Sequence, residues 1–143
     1  MGDKTRCATT GVAATTAATQ AFQEGFMLWR ADADRVHVFF DAGGYQEYPD
    51  TWESGTPEQD PQYGPPPEGY IQQRDGFGLV WGEKQTVRDR LGWAVNDEHP
   101  CDDAHVQPFE SGLMLSCTRD VVPVAKIYVF TLYDDVTYDL YMP

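Results

Sequence analysis

Residues 20–28 read QAFQEGFML, and residues 107–115 read QPFESGLML. At an offset of 87, five of these nine positions are identical: Gln20/Gln107, Phe22/Phe109, Gly25/Gly112, Met27/Met114 and Leu28/Leu115. Downstream, RVHVF at 35–39 matches KIYVF at 126–130 at an offset of 91, and YQEY at 45–48 matches YDLY at 138–141 at an offset of 93. Three matches in order, drifting apart by small insertions in turns, mark a duplicated structural unit.

Each copy reads as a four-stranded antiparallel meander. In the first, strands are predicted over 19–23, 26–31, 35–41 and 45–51, with Gly25 in a tight turn and Gly43-Gly44 in another. Residues 35–41 alternate, with Val36, Val38 and Phe40 on one face and Arg35, His37 and Phe39 on the other. In the second copy, strands are predicted over 105–110, 113–119, 126–134 and 137–142, with Pro123 in a longer turn. The offset of 91 pairs His37 with Tyr128, which predicts an outward structural position for His37. Ser116 stands where the first copy has Trp29, so the copies are not functionally equivalent.

Between the copies, residues 53–75 hold five of the ten prolines, including Pro65-Pro66-Pro67, and read as an extended loop. Residues 76–98 form a connector, with a short strand predicted over 77–81 and one short helix over 83–91. Val87 and Leu91 share a face of that helix, and Gly92 is its left-handed stop. Gly76-Phe77-Gly78 lacks the spacing and the lysine of a phosphate loop. The fold class is therefore all-β: two pseudo-repeated meanders with one short helix and a Pro-rich loop between them. A single domain spans 19–143, with repeat one at 19–52 and repeat two at 105–142, behind an arm over 1–18. In that arm, ten of the twelve residues 8–19 are Ala or Thr, which suits a spacer in an exported chain and not a signal peptide. A disulfide, packing on its own domain or a neighbouring subunit would hold such an arm in place.

The 143 residues make one ordinary domain. A net charge of −13 opposes phosphate backbones and anionic lipid, so nucleic acid and membrane surfaces are poor partners. No apolar run reaches the ~20 residues of a membrane-spanning helix. The three cysteines, Cys7, Cys101 and Cys117, form no CxxC pair. They allow three single disulfides, each leaving one thiol over, of which Cys7–Cys101 is favoured; the alternative is three buried thiols in a reduced cytosolic protein.

Leu91-Gly92-Trp93-Ala94, then Asp97-Glu98, then Phe109-x-x-Gly112-x-Met114-Leu115 resembles the LGFP repeat of bacterial cell-envelope proteins. The resemblance covers roughly residues 76–118. Ala94 stands in place of the repeat's usual proline, and Ser116-Cys117 in place of its usual aromatic and neighbour. The resemblance implies a bacterial, extracellular or cell-surface module that associates with polysaccharide. It carries over no catalytic residue and no cofactor.

Serine hydrolysis is disfavoured, because Ser54, Ser111 and Ser116 lie in no GxSxG motif. A nucleophilic Cys101 near His99 and His105 would have its pKa raised by the acids around it. His99, Asp102 and His105 form the densest metal-ligand cluster, weighed against a plain polar loop. Asp32, Asp34 and Asp41 offer oxygen ligands for calcium but lack the EF-hand pattern. The aromatics are more suggestive. Trp29, Tyr48, Trp52, Tyr63, Tyr70, Trp81 and Trp93 gather near strand ends and the proline loop, where rings can stack on sugar faces, meet a partner or fill the core. The leading expectation is a non-catalytic module binding envelope or extracellular polysaccharide. The second is a structural subunit of a filament or surface assembly, docking its arm on a neighbouring copy of itself. The third is a small glycan hydrolase, which a cleft holding two carboxylates beside an exposed tryptophan would favour.

Overall fold

The computed structural model describes residues 11–53, 59, 62–63, 65–121 and 124–141. They form one eight-stranded antiparallel sheet, curled into a half-barrel, with two short helices. The strands are β1 (Ala13–Phe22), β2 (Gly25–Arg30), β3 (Arg35–Phe40), β4 (Tyr45–Pro49), β5 (His99–Phe109), β6 (Gly112–Val121), β7 (Val124–Tyr133) and β8 (Tyr138–Tyr141). The helices are α1 (Asp75–Glu83) and α2 (Gln85–Leu91). In space the strand order is β4-β3-β2-β1-β5-β6-β7-β8. Every neighbouring pair except β1–β5 joins strands consecutive in the chain.

The Ala/Thr-rich segment is the main departure from the sequence reading. It continues the predicted 19–23 strand back to Ala13 and lies in the middle of the sheet, bonded to β2 on one side and β5 on the other. Thr favours strand geometry, and Ala17 is small enough to sit buried beside the register shift. Register shifts on β1 between Thr15 and Ala17, and on β5 between Asp102 and His105, bend the sheet at this seam. Asp103 takes up the second irregularity with a left-handed backbone, φ 51°. The 99–105 segment is thus strand and not a polar loop.

Alternation along the strands divides the molecule into two apolar clusters. On the concave side, Leu28, Phe39, Val106, Leu115, Phe130 and Leu132 are buried together. On the convex side of β1–β3, Phe22, Met27, Val36, Val38 and Phe40 are covered by Phe77, Val80 and Trp81 of α1 and by Val87 and Leu91 of α2. β3 is therefore buried on both faces. His37, on its concave face, is 1% exposed, which corrects the expectation of an outward position.

The strand predicted over 77–81 is helix instead. Phe77, Val80 and Trp81 recur at helical spacing and bury one stripe against β3, which overrides the low helix propensity of Gly76 and Gly78. Lys84, with extended φ −112° and ψ 97°, separates α1 from α2, so the single helix expected over 83–91 begins only at Gln85. Arg88 on α2 donates to the carbonyl of Gly82 at 2.6 Å, and Tyr63 Oη donates to the same carbonyl at 3.2 Å, so this acceptor at the end of α1 is satisfied twice. Gly92 ends α2 as the sequence suggested, but with φ 74° and ψ −153° it has a positive-φ conformation outside the left-handed helical region.

The cysteines differ from expectation. Cys101 on β5 is bonded to Cys117 on β6, with Cα atoms 5.3 Å apart, so Cys101 is not available to Cys7, which lies outside the described residues. Both sulfurs belong to the concave core. The bridge joins adjacent strands 16 positions apart, and closing a loop of that size in the unfolded chain is worth roughly 3 kcal/mol.

The duplicated unit does not carry over in its matched detail. Gly25 opposes Phe40 and Gly112 opposes Tyr133. Phe40 and Tyr133 lie 93 positions apart, so the 91-offset match of RVHVF with KIYVF is two residues out of step with the ladder. A Cβ on Gly25 would collide with the Phe39 carbonyl oxygen, and one on Gly112 with that of Leu132, so both hairpins need glycine at this position.

Contacts across the concavity hold the curl. Phe39 stacks on Phe130 at 5.0 Å and meets Tyr138 edge-on at 4.8 Å, although β3 and β7 are far apart in the sheet. At one rim, Tyr45 Oη donates to the Tyr133 carbonyl at 2.9 Å and Tyr138 Oη donates to the Phe40 carbonyl at 3.0 Å. Tyr45→Phe and Tyr138→Phe should each lower unfolding free energy by about 1 kcal/mol. Urea unfolding monitored by far-UV circular dichroism measures this, and an unchanged midpoint in both would show that these bonds do not hold the rim.

Candidate functional site

The convex side carries a cleft where the end of β4, the start of α1 and the connector before β5 converge. Asp50 follows β4, and its backbone N–H bonds the Asp34 carbonyl at 2.9 Å, which ties it to the β2–β3 turn. Its carboxylate accepts the Trp52 backbone N–H at 3.1 Å. That carboxylate also lies against the first turn of α1: a Cβ on Gly76 would stand 2.6 Å from Asp50 Oδ1. The exposed amides of a helix start favour negative charge there. Asp75, also in the first turn, has a left-handed backbone at φ 57°.

Trp29, Asp50, Trp52, Asp75, Phe77 and Glu98 line a cavity of about 190 Å³. Trp29 is held by a hydrogen bond from its indole N–H to Asp34 Oδ1 at 3.0 Å. The Trp52 indole nitrogen is buried and has no hydrogen-bond partner among the described residues. Asp75 and Glu98 also line a neighbouring cavity of about 280 Å³, where Gln20, Gln59, Gln72, Arg74 and Asp97 supply amides, a cation and another acid. One compartment is aromatic, the other is rich in hydrogen-bonding groups, and two carboxylates form their common wall. Gln20 is 3% exposed; its amide nitrogen bonds the Asn96 carbonyl at 2.9 Å, while its Oε1 has no hydrogen-bond partner among the described residues.

These surroundings shift two acids in the same direction. Burial pushes the Glu98 carboxyl above its usual range, Asp75 and Asp50 add to this, and Arg74 partly offsets it. Burial also raises Asp50, opposed by the Trp52 N–H and reinforced by Asp34 and Asp75. The cleft thus holds carboxyl groups that keep their protons to higher pH than solvated ones do.

The aromatic residues singled out in the sequence divide. Trp29 and Trp52 are in the cleft. Trp81 is core, 5% exposed, with its indole N–H on the Gly92 carbonyl at 2.8 Å. Tyr63 meets it edge-on at 5.1 Å, and Trp93 packs at 4.9 Å. Tyr48 lies under Lys84 Nζ, 5.2 Å from its ring centre. Tyr70 is half-buried in the proline-rich segment and lines neither compartment. His105 Nδ1 faces the Asp103 carbonyl at 3.0 Å, and Asp102 is exposed. Among the described residues, His99, Asp102 and His105 do not converge, and no group of three His, Cys, Asp or Glu could hold a metal ion. Asp32 is engaged by Thr15 and Arg30, and Asp34 by Trp29, so the calcium candidates face separate partners. Ser54 lies outside the described residues. The sequence reading missed Asp50, Asp75, Glu98, Gln20 and Arg74. The signal nearest to them was an acid two residues before Trp52.

His37 is the one buried imidazole. Arg30 Nε donates to its Nε2 at 3.1 Å, so the neutral ring carries its proton on Nδ1. Nδ1 is 3.4 Å from Glu47 Oε1, close but too poorly aligned to count as a hydrogen bond. Burial, then Arg30 and Arg35, push its pKa down from 6.5 to about 3. This ring is a packing element of the concave core and lies apart from the cleft.

No family model, no curated protein and no solved structure matches the chain.

Two pH effects of opposite sign follow. A carboxyl raised in the folded state binds its proton more readily there than when unfolded, so its contribution weakens stability as pH rises through the folded pKa. Glu98 is exposed, so solvent screens the effect, and Glu98→Gln should raise the melting temperature by only about a degree at pH 7, with the gain shrinking towards pH 4. Calorimetry across that range checks this, and a gain independent of pH would refute it. His37 acts the other way. The unfolded chain takes up a proton below 6.5 while the folded ring does not until about 3, so stability falls with acidification across that window. In His37→Gln this part of the acid loss should disappear, and nitrogen-15 imidazole shifts of the parent protein should report a neutral ring at pH 5.

Proposed function

We propose that the chain is a non-catalytic extracellular module that binds saccharide in the convex cleft. The observation that carries this reading is the joined cleft itself, with tryptophans in one compartment, amides and Arg74 in the other, and carboxylates between them. A sugar ring presents an apolar face that suits an indole and hydroxyl groups that suit carboxylate and amide oxygens. Two compartments sharing a wall favour a ligand longer than one sugar unit. Four acids against Arg74 favour neutral or amino sugars over uronic acids and phosphorylated glycans. The Cys101–Cys117 bridge supports an oxidising compartment. No helix among the described residues is long and apolar enough to cross a membrane. The resemblance of 76–118 to the LGFP repeat points to envelope polysaccharide, and the two four-strand halves are read as descendants of one duplicated unit.

A second reading is supported by the raised carboxyls. Asp50 and Glu98, beside Trp29 and Trp52, put two carboxyl groups in one cleft, as glycoside hydrolysis needs, and a raised carboxyl suits the general acid. The filament reading has less support, since residues 13–18 of the arm are engaged within their own sheet.

Binding of the full chain to a panel of neutral, amino and acidic glycans tests the proposal. Trp52→Ala and Asp50→Asn should each weaken binding of the preferred glycan at least tenfold without lowering the melting temperature. Binding that both variants leave intact would overturn the assignment of the cleft. Release of shorter glycans, lost in both Asp50→Asn and Glu98→Gln, would replace the non-catalytic reading with the hydrolytic one.

A further inference from the structure

A separate cavity of about 230 Å³ lies on the opposite face of the sheet, where the two halves of the curl face each other. Thr19 and Ala21 of β1, Phe26 of β2, Tyr128 and Phe130 of β7 and Leu140 of β8 line it. Phe26 and Phe130 meet across the concavity at 5.4 Å and 47°, and Tyr128 lies nearly parallel to Phe130 at 6.0 Å. The core is not closed at this point: Phe130 is 1% exposed, but Phe26, Tyr128 and Leu140 are only half-buried. Among the described residues, no charged side chain lines the cavity. Thr19 is 4% exposed, and its hydroxyl has no hydrogen-bond partner among the described residues. A buried hydroxyl without a partner is unfavourable and rare in a native fold. An apolar cavity of roughly 150 Å³ holds benzene, so this one has room for about two fused rings.

We propose that this cavity is a binding site for a compact, uncharged, apolar molecule of one or two rings that carries one hydrogen-bonding group to meet Thr19 Oγ1. Its aromatic walls favour flat ligands, and the absence of charge excludes anions and cations. The site shares no lining residue with the cleft except Gln20, so it stands whether or not the cleft binds sugar.

The test uses 2-naphthol and naphthalene as probes, titrated into the full chain and followed by protein NMR. Saturable one-site binding is expected, with nuclear Overhauser contacts to Phe26, Phe130 and Leu140, and 2-naphthol tighter than naphthalene by roughly fivefold, the effect of one net hydrogen bond. Thr19→Val, which keeps the shape of the side chain, should bring 2-naphthol down to the affinity of naphthalene. Ala21→Leu, on the same face of β1, should fill the cavity and abolish binding of both. Absence of saturable binding, contacts located elsewhere, or a preference for 2-naphthol that survives Thr19→Val would overturn the proposal. The contact map is read on the unaltered chain, so a variant that fails to fold does not remove the test.

Discussion

The stacking of Phe39 on Phe130 is the constraint on which the architecture rests. These residues come from strands on opposite sides of the central seam, so they meet only if the sheet bends through a large angle. The stack, the Tyr138 ring beside it and the two rim hydrogen bonds turn an open ribbon into a concave shell with its own core. Glycine at positions 25 and 112 lets each hairpin close against the carbonyl of the next strand, where a side chain would collide. An open sheet with the same strands would leave Leu28, Leu115 and Leu132 in water, which burial of apolar surface strongly opposes.

Bending creates an inequality between the two halves. The convex face of β1–β3 is covered by α1 and α2, while the convex side of β7 leaves Ile127 49% exposed. The helices do more than cover apolar surface. The first turn of α1 brings Asp75 and Gly76 against Asp50, and the connector after α2 delivers Glu98 to the same place. The cleft is therefore a by-product of how the insertion between the halves is packed, and acids from three distant stretches of chain meet there. Their mutual repulsion and partial burial oppose folding locally, a penalty tolerated by sites that bind or react.

Much of the sheet was legible because period-two alternation and glycine turns are local signals. The strands at 26–31, 35–41 and 45–51 appear within one or two residues of their predicted ends. Readings failed where distant contacts decide the outcome. Residues 13–18 look like a spacer because Ala and Thr carry no marked alternation, and only the presence of β5 on the far side makes them a central strand. The 77–81 segment looks like a strand because its apolar residues are few and flanked by glycine, and only the β3 surface makes it helical. The cysteine pairing depends on which strands are neighbours, which spacing alone cannot give. Of the cleft, the tryptophans could be proposed by residue type, but the acids could not be told from the other carboxylates of a strongly acidic chain.

The place of β1 has a consequence for how the chain is made. β1 finds β2 within a few residues, but its other neighbour, β5, lies beyond the whole first half and both helices. As the chain leaves the ribosome, the first four strands can pair in succession while one side of β1 waits, with its row of backbone donors and acceptors open. Among the named strands of the described residues, β1–β5 is the one pairing of high sequence separation, so its formation helps set the pace at which two local hairpin ribbons become one sheet. A waiting edge made of Ala and Thr offers little apolar surface to a neighbouring nascent chain, and the composition that disguised this strand also guards it until β5 arrives.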